Sequence, residues 1–141
     1  MRRPIGIAVG FLLVVVMANL GWTTQNEEVK KAILVSEKWL TLIDEDKYSE
    51  SWENASSYFR QNIEREEWVK KLKAVRNPLG RLLRRDIISH TYKTSLPGAP
   101  DGEYVVIQYN SSFEKKKKAI ETVTPMKDHD GIWRIAGYYI I

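Results

Sequence analysis

From Glu103 to Ile141 the chain reads EYVVIQYNSSFEKKKKAIETVTPMKDHDGIWRIAGYYII. Three runs of β-branched and aromatic residues are separated by a lysine cluster and by Asp128-His129-Asp130-Gly131. Such runs between turn residues read as consecutive antiparallel strands. Hairpin loops fix which residues oppose one another, so this stretch dictates a register. Taking His129-Asp130 as a two-residue loop sets Met126 against Trp133 and Thr124 against Ile135. Taking Lys115 to Lys118 as a four-residue loop sets Phe113 against Ile120, Ser111 against Thr122, Tyr109 against Thr124 and Ile107 against Met126. Both loops then put Val105, Ile107, Tyr109, Ser111 and Phe113 on one face with Ile120, Thr122, Thr124, Met126, Trp133, Ile135 and Tyr139. The reverse face carries Tyr104, Gln108, Asn110, Ser112, Glu121, Arg134 and Tyr138.

One more strand precedes these, within Arg81 to Leu96, and Leu96-Pro97-Gly98-Ala99-Pro100-Asp101-Gly102 is a dense turn. Its facing stays open between two registers. One puts Ile88, His90, Tyr92 and Thr94 on the covered side; the other puts Ile87, Ser89 and Thr91 there.

The part before the strands is helical. Thr24 with Glu27 forms a capping-box pattern ahead of Val29, Ala32, Ile33, Ser36, Trp39, Leu40 and Ile43 at helical spacing. A second, short helix is capped by Ser49 or Ser51 and carries Trp52, Ala55 and Phe59. A third follows Asn62 and stops before Pro78, with acids in its first turn and Lys73 and Arg76 in its last. The expected fold is α+β: three N-terminal helices packed on one face of a curved four-stranded antiparallel meander sheet.

Residues 1–18 have the layout of a secretory signal. Arg2-Arg3 precedes an apolar run from Ile5 to Leu20, and Val16-Met17-Ala18 offers small residues for cleavage after Ala18. An uncleaved anchor is the alternative, and would be the chain's one tie to a membrane. Residues 24–141 read as a single domain. Removing Arg2 and Arg3 lowers the net charge from +4 to +2, too mild to argue for nucleic acid. The chain has no cysteine, which excludes disulfides, thiol catalysis and thiolate metal sites.

Arg76-Asn77-Pro78-Leu79-Gly80, Arg85, the Leu96–Gly102 turn, Tyr104 to Tyr109, Phe113, Glu121 to Thr124, Asp130-Gly131 with Trp133-Arg134, and Gly137 to Ile140 together form a pattern. It resembles an uncharacterised family of small exported bacterial proteins, of the domain-of-unknown-function 4019 type. The resemblance implies a periplasmic or secreted domain and no activity. The order of elements is also similar to nuclear-transport-factor-like and cystatin-like domains, a likeness of fold alone.

Several groups invite a chemical reading. Tyr109, Ser111, Thr122 and Thr124 form a polar patch on the covered face, joined by His90 in one register. An imidazole beside a phenol can serve as a general base, but no carboxylate is spaced to orient it. Tyr104, Arg134 and Tyr138 share the outer face as a candidate stacking platform for a glycan or peptide. Asp128-His129-Asp130 is read as a turn, not a metal site. Lys115 to Lys118, with Arg84-Arg85, would suit an anionic polymer, against the plainer reading of a solvated tip. No metal or cofactor is implied. The leading expectation is an exported, non-enzymatic domain that binds an envelope protein, a glycan or a small ligand. The alternative is a small cone-fold enzyme using a His90/Tyr109 pocket.

Overall fold

The computed structural model describes residues 10–141, with side chains from Thr24 onward. Four α-helices come first: α1 (Gly10–Asp44), α2 (Tyr48–Glu53), α3 (Ser57–Asn62) and α4 (Arg65–Arg76). A short 3-10 turn, Asn77–Leu79, leads into strands β1 (Leu82–Lys93), β2 (Tyr104–Phe113), β3 (Lys116–Lys127) and β4 (Trp133–Ile140). The strands form one antiparallel sheet in the order β1-β2-β3-β4. The chain is therefore α+β.

The helix count differs from the expected three. The second predicted helix breaks at Asn54, and Ser56 opens α3 by accepting the Phe59 amide on its hydroxyl, as an N-cap serine does. Thr24 does not open a helix, because α1 runs through it. Of the predicted leader, residues 1–9 lie outside the described residues and the side chains of 10–18 are not described. Among the described residues, no helix is long and apolar enough to cross a membrane.

Helix α1 packs across β4, β3 and β2, and α3 reaches β4. Ala32, Trp39, Leu40 and Ile43 carry its buried stripe onto Val105, Ile107, Tyr109, Val123 and Ile135. Trp39, Phe59 and Trp68 stack in a chain of tilted and edge contacts between the helices. The buried Trp39 and Trp68 indoles both find acceptors, on the Ser51 carbonyl and hydroxyl.

The register departs from the expectation at both hairpins. The β2–β3 turn is the pair Glu114-Lys115, and Lys116 to Lys118 belong to β3. Tyr109 opposes Glu121, Ser111 opposes Ala119 and Ile107 opposes Val123. That odd shift turns β3 over: Ala119, Glu121 and Val123 face the helices, while Ile120, Thr122 and Thr124 face away. The turn is held from outside, since the Glu114 and Lys115 amides donate to the Arg81 and Leu79 carbonyls. Gly80, at φ 74°, brings the exit of α4 close enough for this; a Cβ there would lie 3.0 Å from the Glu114 Cβ.

The β3–β4 connection is a three-residue loop, His129-Asp130-Gly131, closed by the Asp128 amide on the Ile132 carbonyl, with Gly131 at φ 81°. Trp133 opposes Lys127, not Met126, and Pro125, not Thr124, opposes Ile135. A bulge at Ala136 then reverses the alternation along β4, so Tyr138 turns inward against Val123 and Tyr139 turns out. A bulge at Ile88 does the same to β1. Ile87 opposes Tyr109 before it, and His90 and Tyr92 oppose Ile107 and Val105 after it. Each of the two registers left open for β1 thus holds over part of the strand.

Candidate site: a buried ion network under the helices

Six elements each place one polar side chain at a common point beneath the end of α1. Asp44 comes from that end, Arg76 from the end of α4, Arg85 from β1, Ser111 from β2, Glu121 from β3 and Tyr138 from β4. Glu121 is fully buried. Its Oε1 accepts from Arg85 Nε at 2.7 Å and from the Ser111 hydroxyl. Its Oε2 accepts from Arg85 Nη2 at 3.1 Å and from the Tyr138 phenol. Asp44 receives Arg85 Nη1 and Nη2 at 2.7 and 2.9 Å and Arg76 Nη2 at 3.0 Å. Two carboxylates and two guanidiniums thus neutralise one another, as charges taken out of water must.

Burial opposes the charge on Arg85, but its hydrogen bonds to Asp44 and Glu121 outweigh that cost and hold the guanidinium above its ordinary pKa. Burial, with the charge and hydrogen bond of Glu121, pushes the Tyr138 phenol far up. Burial also raises Tyr109, with the charge of Glu37 adding to it, to about 12. Among the described residues the Tyr109 hydroxyl has no hydrogen-bond partner, nor do Nε and Nη1 of Arg76. The Arg76 guanidinium instead lies 4.8 Å from the centre of the Phe113 ring, in cation–π contact. Both carboxylates of the cluster are filled by donors and both phenols hold their protons at neutral pH, so the cluster offers little to a proton transfer.

The predicted polar patch is divided. Tyr109 and Ser111 face the helices, whereas Thr122 and Thr124 lie on the outward face, Thr122 accepting from Gln108 at 3.5 Å. His90 is exposed on β1 and, among the described residues, makes no side-chain hydrogen bond. It therefore forms no enclosed pair with Tyr109. The outer aromatic platform is also absent. Tyr104 is buried by the Leu96–Gly102 loop, donating its hydroxyl to the Pro100 carbonyl. Tyr138 points inward, and Arg134 is held by Asp130 and Asp128. Arg85 is likewise unavailable to an anionic polymer.

Asp128 ties the last loop to α3, accepting the Ser57 amide at 3.0 Å and the Ser57 hydroxyl at 2.6 Å. Burial raises its pKa, but the Ser57 and His129 donors and the Arg134 charge outweigh this and hold it at about 2. Among the described residues no group of His, Cys, Asp or Glu could hold a metal ion.

The outward face keeps a different feature. A groove of about 870 Å³ runs over β1, β2, β3 and the end of β4, between Arg84, Asn110, Ser112, Lys117, Lys118 and Ile120. Sequence reasoning placed Asn110 and Ser112 outside but treated Lys117 and Lys118 as loop. It missed Asp44 and Glu121 as partners because Glu121 was assigned to the wrong face.

A family model described as "Protein of unknown function (DUF4019)" matches residues 35–138. The chain belongs to that family. No curated protein and no solved structure matches it.

Proposed function

We propose that this member of the family of unknown function is an exported, non-enzymatic domain that binds a ligand or partner in the bacterial envelope through the outward face of its sheet. One contrast carries the reading. The face toward the helices is filled by a network that satisfies its own charges, while the outward face carries an open groove with polar and apolar walls. The charged Arg2-Arg3 pair ahead of the apolar run to Leu20 supports export. The predicted ligand-binding role of Tyr104, Tyr138 and Arg134 moves to residues around Asn110 and Ser112.

The test uses the full chain, labelled with 15N, and an Asn110→Trp variant that fills the groove. Soluble and membrane extracts of the cell envelope are titrated against both. The reading expects amide shifts on the outward residues of β1 to β3 in the wild type and their loss in N110W. Shifts confined to other surfaces, or none, overturn it. Fractionation of cells expressing the chain checks the envelope location.

A further inference from the structure

We infer that the outward groove is a subsite for a phosphate monoester, with the phosphate between Lys117, Lys118 and Arg84 and the organic part along Ile120. The inference rests on the outward-face reading and narrows its ligand class. Lys117 and Lys118 are exposed, and among the described residues neither has a carboxylate in ion-pair range. They are not a loose tip: both sit in the ordered β3 strand, whose hairpin is clamped by Arg81 and Leu79. Arg84 stands across β2 from them, its Nε shared with Asp86 at 2.5 Å.

The charges suit a dianion. Among the side chains of the groove, three cations less the Asp86 carboxylate leave +2. A phosphate monoester carries about −1.5 to −2 at neutral pH, its second pKa being about 6. A single carboxylate would leave one ammonium unmatched, and a long polyanion would meet Asp86. Asn110 and Ser112 add neutral donors on the floor. Ile120 and Ile141 supply apolar wall, which free phosphate would not use. Asp86 thereby acts as a selector, rejecting extended anions that the lysines alone would accept.

Two sources present this chemistry, a soluble sugar phosphate and phosphatidic acid in a membrane, and the experiment separates them. The full chain labelled with 15N is titrated with glucose 6-phosphate, with glucose, and with phosphatidylcholine vesicles with and without phosphatidic acid. The expected result is that glucose 6-phosphate moves the amides of Asn110, Ser112, Lys117, Lys118 and Ile120 while glucose does not. Its binding should tighten as pH rises through about 6 and weaken with salt. The K117Q/K118Q variant, altered only at exposed positions, should lose about tenfold in affinity. Retention only on vesicles containing phosphatidic acid, again lost in K117Q/K118Q, assigns the site to the lipid and also supports the inference. Absence of binding in both arms, or equal binding by K117Q/K118Q, overturns it. If the envelope extracts still shift the groove amides of the wild type and not of N110W, the phosphate class alone has failed. If those shifts are missing too, the outward-face reading has failed with it.

Discussion

The Arg85 guanidinium lies in the fork of Glu121, Nε to Oε1 at 2.7 Å and Nη2 to Oε2 at 3.1 Å, while its other edge holds Asp44. One arginine on the edge strand thus joins the end of the first helix to an inner strand.

Removing that arginine strands the buried Glu121 carboxylate and leaves the half-buried Asp44 with Arg76 alone. Arg85→Met should cost about 3–5 kcal/mol, the range for breaking a buried ion pair by deleting one partner. Urea denaturation followed by tryptophan fluorescence measures it. A cost below about 1 kcal/mol, the level of an exposed pair, would mean that water reaches the network.

The two buried phenols should respond in opposite ways. Tyr138→Phe removes a donor to a carboxylate and should cost about 1.5–3 kcal/mol. Tyr109→Phe removes a hydroxyl with no partner among the described residues and should be neutral or stabilising. Equal costs would contradict the different environments of the two side chains.

Tyr109 also predicts an alkaline limb. Its folded pKa, about 12, lies above the ordinary phenol value of 10.0, so the folded state holds the proton more tightly. That contribution is fully present below the unfolded value and is lost as pH rises from there toward the folded one. Stability measured from pH 9 to about 12 should fall less steeply in Y109F than in the wild type.

At the acid end Glu28 and Asp128 act together. The Trp133 indole N–H, outweighing burial and helped by Lys31 and Lys127, holds Glu28 at about 2. Asp128 is at about 2 for the reasons given above. Both are depressed below their ordinary values of 4.5 and 3.8, so their contribution is present above those values and lost as pH falls through them toward 2. Urea midpoints between these limits should decline with acid, and a combined E28Q/D128N variant should flatten the decline.

Glycines with similar backbone angles should differ in tolerance. Gly80→Ala meets both φ 74° and the Glu114 Cβ at 3.0 Å, so it should cost more than Gly98→Ala, where φ is 76° and the space is open. The left-handed conformation alone costs about 1–2 kcal/mol for a residue with a Cβ. Thermal melts of the two variants side by side read the difference.

The four strands, their order and the amphipathic face of α1 were legible from residue periodicity. What failed was parity. Lys116 to Lys118 looked like a loop because charge runs usually are, yet they continue β3 with the turn clamped by Arg81 and Leu79. A bulge leaves no mark in a two-residue period, so Ala136 and Ile88 concealed the inward turn of Tyr138 and the divided facing of β1. Glu121 was assigned outward because the four-residue loop set the wrong parity for β3. Its partners Arg85 and Asp44 are remote in sequence, and no local pattern joins them. One signal was available: Arg85 and Glu121 both fell among the residues of the family resemblance, although that gave neither its partner.

The network closes over long stretches of chain, 41 residues from Asp44 to Arg85 and 36 from Arg85 to Glu121. Contacts of such separation reward the chain only after the intervening segments have been ordered, so they form late on the folding path. Interactions absent from the folding transition state act on the rate of escape from the native state rather than on the rate of reaching it. The ion cluster is then a kinetic lock. Weakening it through Arg85→Met should accelerate unfolding in stopped-flow experiments and leave the refolding limb nearly where it was, so that the protein's lifetime, more than its speed of assembly, depends on one arginine.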